Sequence, residues 1–102
     1  MMDEQERVSD FFDEHELEGR TAYRILDLLA EAGEVAADAA KTSDYGMSEE
    51  DLDVKRDEIG DVLFSLLAVA SDLGIDAEAA LEESLEKYES RISDSGSPGS
   101  AD

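Results

Sequence analysis

The sequence predicts an all-α fold: an antiparallel helical bundle of about four helices per chain, completed by oligomerisation. Three observations carry this. Apolar residues recur at i, i+3, i+4 and i+7 through the middle of the chain. Glycines and polar turn residues divide it into four such stretches. No stretch alternates apolar and polar residues as a half-buried strand would. At 102 residues the chain suits one domain with one modest core.

The first predicted helix runs from Asp3 to Leu17, with Val8, Phe11 and Phe12 as its apolar marks and Gly19 as its end. The second runs from Thr21, read as its N-cap, to Lys41. Its main apolar face holds Ile25, Leu28, Leu29, Ala32, Val35, Ala36 and Ala39, and a second strip holds Tyr23, Leu26, Ala30 and Ala37. Ser43-Asp44-Tyr45-Gly46 reads as a turn. Ser48, with Asp51 three residues on, resembles a capping box opening a third helix that continues to Leu73 and closes at Gly74. Its main face is Ile59, Leu63, Leu66, Val69, Ala70 and Leu73, and Phe64 and Ala68 extend it around the back. Asp76 is a suitable N-cap for a fourth helix ending near Ile92. Residues 1–92 thus form one domain with its core over 21–92. Residues 93–102, made mostly of Ser, Gly, Pro and Asp, read as a disordered acidic tail.

Helices apolar on more than one side need more neighbours than one short chain offers. A second subunit is therefore expected over the backs of helices two and three, including Phe64 and Ala68. Gly33 and Gly60, mid-helix positions where Gly is about 1 kcal/mol worse than Ala, are expected where another backbone comes close.

The chain carries 29 acidic and 8 basic residues, a formal net charge of -21. That balance excludes nucleic-acid binding through phosphates and attachment to an anionic membrane. With only three lysines, Lys41, Lys55 and Lys87, it points to a halophilic, salt-rich setting. There is no cysteine, so disulfides and thiolate metal sites are excluded. Met1-Met2-Asp3-Glu4 lacks the basic and apolar regions of a signal peptide, and the apolar run from Ile59 to Ala70 is too short to cross a bilayer. A cytoplasmic location is expected.

Two acidic pairs stand out, Glu31-Ala32-Gly33-Glu34 and Glu58-Ile59-Gly60-Asp61. Each has i, i+3 spacing, which puts both carboxylates on one side of a helix. In a chain this acidic such pairs also arise by chance, as at Asp10/Asp13 and Glu83/Glu86. These two differ because they border apolar strips, where unpaired charge is costly to bury. Glu31, Glu34, Glu58 and Asp61 are therefore expected to gather on one hard divalent cation, Mg²⁺ or alternatively Mn²⁺, which favours oxygen ligands. A di-iron bundle would need Glu-x-x-His motifs, and the one histidine, His15, reads as an exposed helix-end residue. Asp51-Leu52-Asp53 starts like an EF-hand loop, but Arg56 and Val62 stand where Gly and Glu are required. A carboxylate-held Mg²⁺ suits phosphate chemistry. Lys87 and Arg91, i and i+4 on the fourth helix, then have two readings: contacts to phosphate, or helix salt bridges with Glu83 and its neighbours.

With these residues in place, the chain resembles the MazG-like nucleotide pyrophosphohydrolases of the all-alpha NTP pyrophosphatase superfamily. The resemblance is carried by Leu28-Leu29-Ala30-Glu31-Ala32-Gly33-Glu34-Val35 and Asp57-Glu58-Ile59-Gly60-Asp61-Val62-Leu63-Phe64. Gly74-Ile75-Asp76 and Lys87-Tyr88-Glu89-Ser90-Arg91 add to it, and it spans Thr21 to Ile92. It implies a helical, oligomeric (dimeric or tetrameric), Mg²⁺-dependent enzyme that hydrolyses nucleoside triphosphates to monophosphate and pyrophosphate, in a house-cleaning role. By position, Glu31, Glu34, Glu58 and Asp61 would be the metal ligands and catalytic residues, and Lys87 and Arg91 would bind substrate phosphate. Two positions depart from the pattern: Ala30 replaces the first of two adjacent glutamates, and Leu85 stands near a position often held by Asn. Phosphoribosyl-ATP pyrophosphohydrolase is the alternative enzyme reading. A helical dimerisation or adaptor module with weak catalysis is the alternative from another class, and Ala30 favours it. Phe11, Phe12, Tyr23 and Tyr45 are read either as base-stacking residues or as core and interface residues.

Overall fold

The computed structural model describes residues 3–99; Met1, Met2 and residues 100–102, the far ends of the expected domain and tail, lie outside the described residues. Within them the fold is four α-helices with no strand: α1 (Glu4–Glu14), α2 (Thr21–Thr42), α3 (Arg56–Asp72) and α4 (Ala77–Ser95). Among the described residues no helix is long and apolar enough to cross a membrane.

Local chemistry sets the helix ends, sometimes differently from expectation. Asp3 caps α1 by accepting from the Glu6 amide at 2.8 Å. α1 stops three residues before Leu17 because Glu16 adopts a left-handed conformation, φ 53°. The Leu17 amide then returns to the Phe12 carbonyl at 2.9 Å, as in a Schellman turn. Gly19 has no part in that stop. Arg20, not Thr21, is the N-cap of α2 and gives no side-chain cap. Thr21 Oγ1 instead donates to Asp72 Oδ2 at 3.4 Å. Gly74 closes α3 as expected: its φ of 68° lets the Ile75 amide reach the Ala70 carbonyl at 2.9 Å. Asp76 caps α4 as expected, accepting from the Glu78 and Ala79 amides at 3.0 and 3.4 Å. α4 runs three residues past Ile92 and ends at Gly96 in the left-handed conformation, φ 80°.

The largest departure is the start of α3. Ser48 makes no side-chain cap, and Glu49–Asp51 form only a 3-10 turn. Leu52 and Lys55 are extended, and the helix begins at Arg56. A tertiary clamp explains this. Thr42 Oγ1 at the end of α2 accepts from the Asp53 amide at 2.8 Å and lies 3.2 Å from the Asp53 carbonyl oxygen. Asp53 cannot also join a helical ladder. Buried Ser43 folds the preceding turn by accepting from the Gly46 amide at 3.0 Å, with Asp44 and Tyr45 both at positive φ.

α2 and α3 form an antiparallel hairpin. The Thr42–Asp53 clamp holds one end, and Arg24 with Asp72 holds the other. α1 lies antiparallel on the other side of α3. Gln5 Nε2 donates to the Ile75 carbonyl at 2.7 Å, and Gln5 Oε1 accepts from the Ala77 amide at 2.8 Å. Toward the other end of α1, Phe64 packs on Phe11 and Phe12 with ring centroids 5.7 and 5.3 Å away. Of the two residues expected under a second subunit, Ala68 is buried within the chain at 4% exposed, whereas Phe64 packs on α1 yet stays 36% exposed. Phe11 and Phe12 thus take the core role, one of the two readings open to them.

The buried apolar core is small and centres on Leu67, Ala68, Val69 and Ala70 of α3. α4 packs only lightly on α3. Its residues Leu81, Leu85, Tyr88 and Ile92 form an apolar stripe at helical spacing that stays exposed, as do Ile59, Leu63, Leu66 and Leu73 of α3. Gly33 and Gly60 mark no close backbone approach within the chain: a Cβ at either would meet nothing within 4 Å.

Candidate active site: an acidic face between α2 and α3

Helical register builds the site. Glu31 and Glu34 lie on one face of α2, and Asp27 and Asp38 continue that face one turn in each direction, at spacings of four, three and four. The four span about 16 Å at 1.5 Å per residue. Because α3 runs antiparallel, its Glu58 and Asp61 meet this row in reverse order. Asp61 and Glu34 both act on Glu31, while Asp38 and Glu34 act on Glu58. Members of the two motifs therefore lie near one another across α2 and α3.

Electrostatic strain is concentrated here. Burial raises the Glu31 carboxyl above its ordinary range, and the charges of Glu34, Asp61 and Asp27 and a hydrogen bond with Glu34 add to the rise. Glu58 is pushed up to about 7, first by a hydrogen bond with Asp38, then by burial and the Asp38 charge; Glu34 adds to this and Lys55 opposes it. Asp38 Oδ2 and Glu58 Oε2 are both buried with no donor besides the proton that the Glu58–Asp38 pair can share. Leaving such groups unsatisfied is costly.

The expectation of four carboxylates closing on one point is not met in detail. Among the described residues no three acids are grouped so as to enclose an ion. Glu58 turns toward Asp38, while Glu31 pairs with Glu34. The donor set nevertheless suits a hard divalent cation: every group is a carboxylate, the set spans two helices, and one of its oxygens, Glu58 Oε2, is buried.

Lys87 and Arg91 are not brought to this face. They flank Tyr88 on α4, at 5.2 and 5.7 Å from its ring centre. Arg91 Nη1 donates to the Pro98 carbonyl at 3.4 Å. Among the described residues the one ion pair is Arg24–Asp72, so the salt bridge with Glu83 does not form either. Phe11 and Phe12 pack against α3, Tyr23 and Tyr45 are exposed, and His15 caps the end of α1 with its ring 4.5 Å from Phe11.

Sequence reading missed Asp38. It lies outside both Glu-x-x-acid units, but its position four residues after Glu34 is a readable signal that it shares their face.

No curated protein and no solved structure matches the chain. Residues 21–94 match the MazG nucleotide pyrophosphohydrolase domain, a span that takes in α2, α3, nearly all of α4 and every residue of the acidic face. The chain thus belongs to the MazG nucleotide pyrophosphohydrolase domain family.

Proposed function

We propose that the protein hydrolyses nucleoside triphosphates to nucleoside monophosphate and pyrophosphate, with Mg²⁺ as cofactor, Mn²⁺ able to replace it, and a house-cleaning role in a salt-rich cytoplasm. The observation that carries this reading is the acidic face: Glu31 and Glu34 of α2 meet Glu58 and Asp61 of α3 within the family-matched segment. Glu31, Glu34, Glu58 and Asp61 would hold the cation. When bound, it supplies charge neutralisation for a polyphosphate and makes water more acidic at neutral pH. The chain's own part is to fix the carboxylates on two clamped helices and to deprotonate or orient the attacking water through one of the glutamates, Glu34 in this reading. No cysteine is present, and no activated serine accompanies the face, so direct attack by water is the fitting route.

Self-association belongs to the same reading. The chain exposes 7851 Å², whereas a compact monomer of its mass exposes about 5,700 Å². Its radius of gyration of 16.6 Å exceeds the roughly 13 Å of a compact 100-residue domain. A second copy covering the α4 stripe and the exposed side of α3 accounts for both, in a homodimer or homotetramer. Such assembly would also let Lys87 and Arg91 bind substrate phosphate from a neighbouring subunit.

The test is release of pyrophosphate from a panel of intact and damaged nucleotides, phosphoribosyl-ATP included, in high salt with Mg²⁺. Monophosphate and pyrophosphate are the expected products. Orthophosphate as first product would reject the reaction. No hydrolysis despite bound Mg²⁺ would favour a helical dimerisation module, the reading that Ala30 supports.

A further inference from the structure

We propose that the groove between α1, α3 and α4 is the seat for the α4 stripe of a second copy of this chain, with Gly60 in its wall as the point of close approach. The inference rests on the self-association put forward above and names the two surfaces that meet. Two adjoining apolar clefts make the groove. One, of about 390 Å³, lies between α1 and α3 and is lined by Phe11, Gly60 and Phe64; the other, of about 670 Å³, lies between α3 and α4 and is lined by Leu66 and Leu81. Leu63 and Leu67 line both. The α1 wall precedes residues 21–94, so the groove is not made by the family-matched segment alone.

α4 walls the groove with its first half and leaves it with its second. Leu85, Tyr88 and Ile92 follow Leu81 in steps of four, three and four, the spacing with which a helix fills an apolar groove, and all stay exposed. One chain thus carries both an empty groove and an uncovered stripe, and a two-fold pair fills each with the other. The area fits. Each chain exposes roughly 2,000 Å² more than a compact monomer of its mass, and burying it on two chains gives an interface of obligate size, about 2,000–5,000 Å² in total. Charge fits as well. Among the described residues Arg7, which lines the groove, has no carboxylate partner in its own chain, and helical register puts Glu82 and Glu89 along one edge of the stripe. Gly60 gains a reason here. It is unfavourable in mid-helix, and a Cβ on it would meet nothing within 4 Å of its own chain. The space in front of it belongs to the incoming helix.

The experiment is crosslinking in high KCl, since the chain has no cysteine of its own. Chains with Glu4→Cys, at the groove, are co-expressed with chains with Ser84→Cys, beside the stripe, and treated with a short bismaleimide. A crosslinked mixed dimer is expected. Tyr45→Cys, on the turn after α2, should give none with Ser84→Cys. Sedimentation of Gly60→Leu supplies the second reading. The side chain has room in the single chain, so circular dichroism should show a folded protein, while the dimer dissociation constant should rise tenfold or more. A wild-type dimer without the Glu4–Ser84 crosslink, or one that crosslinks Tyr45→Cys equally well, would overturn this docking and leave self-association standing. Folded Gly60→Leu that dimerises like wild type would overturn the part given to Gly60. A wild-type monomer would bring down self-association and the docking with it.

Discussion

Arg24 Nη1 lies 2.6 Å from Asp72 Oδ1, joining the first turn of α2 to the last residue of α3. The guanidinium also sits 4.3 Å from the centre of the Phe12 ring, and its Nη2 points to the Leu17 carbonyl at 3.5 Å. One side chain therefore ties α1, α2 and α3 together at the end of the hairpin away from the Thr42 clamp. Arg24→Ala should destabilise the fold by about 2 kcal/mol through loss of a charged hydrogen bond, a fall in Tm of roughly 10 °C. Arg24→Lys should recover only part of that, because an ammonium cannot match the guanidinium's planar fork and stacking. Thermal melting of the two variants checks this.

Glu31 is raised first by burial and then by Glu34, so neutralising either relieves strain in the metal-free protein. Glu31→Gln and Glu34→Gln should each melt above wild type without Mg²⁺ and show weakened Mg²⁺ binding. Glu34→Gln should mainly abolish kcat, whereas Lys87→Ala should mainly raise KM. Steady-state kinetics beside metal-free melting separates these effects.

Glu58 fixes a pH dependence. Its carboxyl ionises near 4.5 in the ordinary case and at about 7 in the fold. Between those values the folded chain holds more protons at this group than the unfolded chain, so stability falls as pH rises. The contribution is complete below about 4.5 and lost by passage through about 7. Melting in chelator should show this decline in wild type, and Glu58→Gln should flatten it across that window.

The acidic surface and the exposed apolar stripe make paired predictions about solution conditions. At 0.01 M salt the Debye length is about 30 Å, and the chain's like charges repel freely. Tm and activity should therefore rise from low to molar KCl. Sedimentation in high salt should show a dimer or tetramer, and Leu85→Glu should dissociate it, since Leu85 is central to the α4 stripe and 51% exposed in the single chain. A stable, active wild-type monomer would contradict the assembly.

The helices and the acid pairs were legible because both depend on local spacing. Glu31/Glu34 and Glu58/Asp61 are i, i+3 units, and Gly74 and Asp76 are local stop and start signals. What escaped was set at a distance. Ser48 looked like a cap, but the Thr42–Asp53 clamp decides where α3 begins, across eleven residues. The packing of Phe64 on Phe11 and Phe12 also escaped, because nothing local to α3 reveals those contacts. Asp38 passed as one more surface acid because its meaning comes from Glu58, on another helix. Gly33 and Gly60 suggested a close helix approach that the chain itself does not make.

The central claim is that one acidic face, among many acids on this surface, holds the divalent cation. Titrating Mn²⁺ into ¹⁵N-labelled protein in high salt and following paramagnetic broadening of amide signals tests it most directly. Broadening at low Mn²⁺ should begin at Glu31–Asp38 and Glu58–Asp61, and Mg²⁺ should reverse it. Broadening that spreads evenly over acidic positions such as Asp10, Asp13, Glu83 and Glu86 would contradict the account.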